Sequence, residues 1–165
     1  MAKKSHLKLN SEIVNVQLPF HRNFLLVVAF FEGASVMAVE LAGAKMIAPF
    51  YGTSLYVWAS VLAVTLGGLT TGYYLGGWTS YRFTVQKLLL VVLLAGTFLV
   101  SLMPVVASRV MPATSGLGLR IGSLVSAISF MFLPLVCMGM VSPTLIQLNN
   151  TELKGTGKTA GTIYA

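Results

Sequence analysis

The sequence predicts an all-α polytopic transmembrane bundle with four spans, and three observations predict it. Hydrophobic residues make up 56% of the 165-residue chain and charged residues only 9%, where soluble domains carry roughly a quarter charged residues. Mean hydropathy is +0.83. The apolar residues are gathered into four runs, each long enough at about 1.5 Å of rise per residue to cross a hydrocarbon core of about 30 Å. So few charges cannot clothe a water-facing surface, and lipid is the expected solvent.

Residues 1–23 form a basic tail carrying Lys3, Lys4, Lys8 and Arg22, with His6 and His21. They mimic the start of a signal peptide, and Ala42-Gly43-Ala44 mimics a cleavage site. The tail is too long for that, however, and the apolar run behind it carries Glu32 and continues into further helices. The first span is read from Phe24 to Ala48, with a turn at Pro49 and Gly52. The second runs from Leu55 to Trp78, with Tyr56 and Trp58 near one end and Tyr73, Tyr74, Trp78 and Tyr81 near the other, as aromatic belts require. The third runs from Val85 to Val106. Residues 107–120 follow, and Pro112, Ser115, Gly116 and Gly118 predict a loop there. The fourth span runs from Ile121 to Leu148 and contains Pro134 and Pro143, each able to free a backbone carbonyl and kink the helix. The transmembrane domain is thus 24–148, and 149–165 is a polar tail in which Gly-Thr-Ile-Tyr-Ala opens a possible fifth helix.

Lys and Arg set the orientation. With the N-terminus inside, the inner side holds the four tail cations, Arg82 and Lys87 of the second loop, and Lys154 and Lys158. The outer side holds Lys45, Arg109 and Arg120. Eight against three favours both termini in the cytoplasm, in a bacterial inner or plasma membrane. The net charge of +7 is read the same way, as contact with anionic headgroups rather than nucleic acid.

The chain has no Asp and four Glu, which removes most acid–base and metal chemistry. Its one cysteine, Cys137, excludes an internal disulfide. Glu32 and Glu40 lie within the first span, where a charge costs at least about 2.5–3.5 kcal/mol unless it faces protein or water. Eight residues separate them, about 80° around the helix and about 12 Å along it, so they share a broad face without forming a catalytic pair. They read either as an intramembrane proton or cation site or as packing groups. Lys45, about 140° further round than Glu40, is a poor partner and can snorkel outward. Gly68, Gly72 and Gly76, at four-residue spacing, make a smooth face for a close helix neighbour, and Ser60 and Val64 extend it. Met131, Cys137, Met138 and Met140 offer soft ligands for Cu(I), but gap-filling is the commoner use of such residues. Gly155-Thr156-Gly157-Lys158-Thr159 resembles the end of a phosphate loop, yet Glu152 stands where its first glycine belongs.

Glu40, Pro49, Gly52, Ser54, Trp58, the run 67–77 and Arg82 resemble the membrane domain of the fused major-facilitator/spermidine-synthase-like family. Gly139, Met140, Ser142 and Pro143 look like its fourth-helix signature, and Gly157, Ala160, Gly161, Tyr164 and Ala165 like the opening of its next helix. Members often continue into an aminopropyltransferase domain that uses aspartates. With no Asp, this chain does not inherit that activity. Residues 76–82 are also similar to the major-facilitator loop between helices two and three, except that Ser80 stands where the loop carries Asp. The expected function is therefore a non-catalytic membrane subunit, without cofactor or metal, that packs against other membrane subunits or copies of itself. The alternative is a transporter-like module for protons or a small cationic solute, using Glu40 and Glu32.

Overall fold

In a computed structural model, residues 20–80 and 82–152 are described, and side chains for 26–80 and 82–147. The tail cations Lys3, Lys4 and Lys8, the belt residue Tyr81, Lys154, Lys158 and the expected fifth helix lie outside the described residues. Among the described residues the fold is all-helical: α1 Phe20–Tyr51, α2 Leu55–Ser80, α3 Val85–Thr114 and α4 Gly118–Glu152, with a 3-10 turn Ser115–Leu117 before α4. Three stretches are long and apolar enough to cross a membrane: Leu26–Tyr51, Leu55–Ser80 and Val85–Gln147. The last, 63 residues long, contains both α3 and α4.

The helices run up and down. Gly43 faces Met131 and Gly122 faces Tyr51, so α1 and α4 are antiparallel. Gly68 faces Leu135 and Gly76 faces Met140 and Pro143, so α2 and α4 are parallel. Val92 packs with Val141 and Leu145, and Gly96 faces Cys137, so α3 and α4 are antiparallel. α4 is therefore the hub, and its buried residues Ser123, Ser126, Ala127, Met131, Leu135 and Thr144 are fully enclosed. The outer faces carry large apolar side chains: Phe30 is 72% and Leu55 82% exposed. Large apolar side chains outside, with hydroxyls such as Ser60, Ser123 and Ser126 among the buried groups, is an arrangement that lipid solvent accommodates.

Several boundaries differ from those the sequence suggests. Residues 107–114, read as loop, are the last turns of α3, which passes through Pro112. The chain reverses through the 3-10 turn and Gly118, whose φ of 76° and ψ of 170° only glycine adopts readily. A proline removes one helical hydrogen bond, and neighbouring helices make this tolerable in membrane helices; separately, the Ser115 hydroxyl donates at 2.8 Å to the Pro112 carbonyl, one of the last-turn carbonyls at the end of α3. Pro49 likewise stays within α1, and the turn falls at Gly52, with φ of 74°. α4 continues unbroken through Pro134 and Pro143 to Glu152, and α1 starts at Phe20, so the bundle overruns both 24 and 148.

A buried hydroxyl cluster fastens the end where α3 turns into α4. Tyr51 Oη donates to Thr114 Oγ1 at 2.8 Å, and Thr114 Oγ1 lies 2.7 Å from Ser126 Oγ. Ser60 and Ser123 hydroxyls lie 3.1 Å apart beside it. Changing Thr114 to valine keeps the shape but strands the hydroxyls of Tyr51 and Ser126. The expected cost is about 1–2 kcal/mol, read as a lower unfolding midpoint in a denaturing-detergent titration. Tyr51→Phe, which removes a partner without stranding Ser126, is expected to cost less.

Candidate functional site

The glycine stripe of α2 brings two backbones together. A methyl group at Gly72 would strike the Val136 carbonyl oxygen and lie 2.8 Å from the Gly139 Cα. One at Gly68 would lie 2.8 Å from the Leu135 Cβ, and one at Gly76 would lie 2.7 Å from the Pro143 ring. Gly68, Gly72 and Gly76 are all buried. Their partner is α4 of the same chain, so the stripe is not the part of this protein that awaits another subunit.

Close packing of α2 on α4 leaves α1 and α3 touching each other only slightly. A cavity of about 390 Å³ opens between them, floored by α4. Glu32 and Ser35 of α1, Gly96, Thr97 and Ser101 of α3, and Met138 of α4 are among its lining. Glu32 is half-buried, and its carboxylate comes near the Ser142 hydroxyl of α4. Among the described residues no lysine or arginine lines this space.

Glu40 is placed elsewhere. It is partly exposed, does not line that cavity, and has no hydrogen-bond or ion-pair partner among the described residues. Lys45 is exposed and lines a smaller groove of about 140 Å³ beside Gly52, Thr53 and Trp58. The structure thus separates the three ionisable residues of α1 that the sequence grouped. The methionines separate as well: Met131 packs under Gly43, Met138 lines the cavity, and Met140 packs with the Val92–Val141–Leu145 group.

Two arginine–aromatic contacts mark the ends of α2. The Arg82 guanidinium lies 4.7 Å over the Trp78 ring in the α2–α3 turn. Arg120 lies 4.7 Å from the Tyr56 ring centroid, and its Nη2 donates to Tyr56 Oη at 2.9 Å. Tyr56 and Trp78 are about 33 Å apart along a helix of ordinary rise. Ser80, which stands where the similar loop carries Asp, is buried and donates to the Gly77 carbonyl at 3.0 Å.

Ser35, Thr97 and Ser101 are the site residues that sequence reading misses. Isolated hydroxyls in apolar helices are common, and only the α1–α3–α4 arrangement puts these near a carboxylate. No family model, curated protein or solved structure matches the chain.

Proposed function

We propose that this chain is a non-catalytic, integral membrane module that associates with further membrane helices through the outer face of α1. The observation that carries this reading is Glu40. The Gly43–Met131 and Glu32–Ser142 contacts place it level with Pro134 and Leu135 of α4. Leu135 packs on Gly68, which lies within one residue of the midpoint between Tyr56 and Trp78. Glu40 therefore sits near mid-depth, partly open to lipid and unpartnered among the described residues. A carboxylate at that depth costs several kcal/mol if nothing outside the chain meets it. Gly33 and Met37 share its helical face; nothing lies within 4 Å of a methyl group built at Gly33, and Met37 is 60% exposed. This leaves room for a neighbouring helix to approach.

The same reading takes the Val85–Gln147 stretch as two crossings folded back at Gly118, which makes four spans with both ends cytoplasmic. The Lys/Arg distribution supports that orientation. The residues from Glu40 to Arg82 and from Gly139 to Pro143 support kinship with the membrane domain of the fused major-facilitator/spermidine-synthase-like family. A proton or cation path through both Glu40 and Glu32 is less well supported, because the cavity receives only Glu32.

The test is assembly size in native membranes. A chain extracted in mild detergent is expected to migrate as a species larger than one chain, and Met37→Cys in a Cys137→Ser background is expected to cross-link. Glu40→Leu is expected to weaken that association about tenfold. Migration as a single chain with no cross-link overturns the reading.

A further inference from the structure

The cavity between α1, α3 and α4 has a hydrogen-bonding character that its residue list does not reveal. Ser35 donates its hydroxyl proton to the Phe31 carbonyl at 2.7 Å. Thr97 donates to Leu93 and Ser101 donates to Thr97, both at 2.9 Å. Each hydroxyl proton is thus committed to the hydroxyl's own helix, and only oxygen lone pairs remain for an occupant. The fourth polar group is the Glu32 carboxylate, an acceptor when ionised. Among the described residues the cavity therefore presents acceptors, one of them a carboxylate, with no cationic group in its lining and otherwise apolar walls of Val28, Val92, Val100 and Met138.

We propose that this cavity binds a small aliphatic primary ammonium compound, with its charged head on Glu32 and its apolar body along the valine wall. An ammonium group supplies three donors and no acceptor, which complements the lining. A quaternary ammonium has no donor and would need an aromatic cage, whereas among the described residues Phe31 is the sole aromatic one in the lining and is 64% exposed. A zwitterionic phospholipid would bring a phosphate beside Glu32 without a cation to receive it. A compound with several ammonium groups would leave all but one unpaired. A volume of about 390 Å³ lies within the range of small-ligand sites.

The probe is radiolabelled n-hexylamine, titrated onto the full chain in lipid nanodiscs, with empty nanodiscs subtracted. Saturable binding is expected, displaced by unlabelled hexylamine but not by equal concentrations of hexanol, hexanoate or diaminohexane. Glu32→Gln is expected to weaken it by at least about tenfold, the scale of a hydrogen bond to a charged group. Gly96→Leu is expected to abolish it by filling the space beside Cys137, where a Cβ meets only an ordinary contact of 3.7 Å. Both variants should keep wild-type helicity and elution. Equal displacement by hexanol, undiminished binding in a folded Glu32→Gln variant, or no saturable signal above empty nanodiscs overturns the proposal. If a variant does not fold, the comparison of amine with alcohol on the wild-type chain decides.

Discussion

Replacing Gly72 by leucine is expected to destabilise the bundle by about 3 kcal/mol or more, the upper end of what overpacking costs. The obstacle is backbone on both sides. The new side chain meets the Val136 carbonyl and the Gly139 Cα, which cannot turn away as a side-chain tip can. Relief requires α2 to move off α4, and that also breaks the seats of Gly68 and Gly76. The same helix supplies the control. A methyl group at Gly67 or Gly77 meets nothing within 4 Å, so Gly67→Ala and Gly77→Ala are expected to be neutral or to stabilise by up to about 1 kcal/mol through helix propensity. Equilibrium unfolding in mixed micelles, followed by far-UV circular dichroism, measures all three. If Gly72→Leu is as stable as Gly67→Ala, the α2–α4 contact is not the close one described.

Gly118→Ala is expected to cost about 1–3 kcal/mol although nothing lies within 4 Å of the added methyl group. Space is not the issue here. With φ at 76° and ψ at 170°, the backbone occupies a region that residues with a Cβ avoid. Gly116→Ala, two residues earlier, has equal space and no such backbone, and is expected to be near neutral. The difference between the two variants in the same assay isolates the conformational cost of the α3–α4 reversal. A Gly118→Ala protein indistinguishable from Gly116→Ala would mean that the turn is made elsewhere.

These two glycines show what the sequence discloses and what it conceals. The four-residue spacing of Gly68, Gly72 and Gly76 is a one-dimensional signal, and it announces a close-packed face. The identity of the neighbour is not in that signal, because it depends on which helix the chain folds back against. Gly118 was concealed by its surroundings. Pro112 and Gly116 look like loop residues by rules drawn from water-soluble proteins. Away from water, an exposed carbonyl has no alternative partner, so a helix carries through such residues where it would otherwise end. Hence Thr114, the centre of the hydroxyl cluster, lay in a segment read as loop. Glu32 and Glu40 were legible as anomalies, since carboxylates in apolar runs demand a reason. Their separation was not, because an 80° offset on one helix decides nothing until the neighbours of that helix are known.

The placement of α4 has a consequence for how the protein is made. Of the described helices, α1, α2 and α3 emerge first from a ribosome, yet α2 and α3 scarcely touch each other and pack mainly on α4, and α1 touches α4 more than it touches either of them. Until residues 118–152 enter the membrane, the buried faces of the first three helices have nothing to close upon, and the glycine stripe of α2 lies open to lipid. Assembly is therefore expected to be late and concerted rather than stepwise. The half-finished chain depends on lipid, or on whatever attends insertion, to keep its small-residue faces from pairing with the wrong helix.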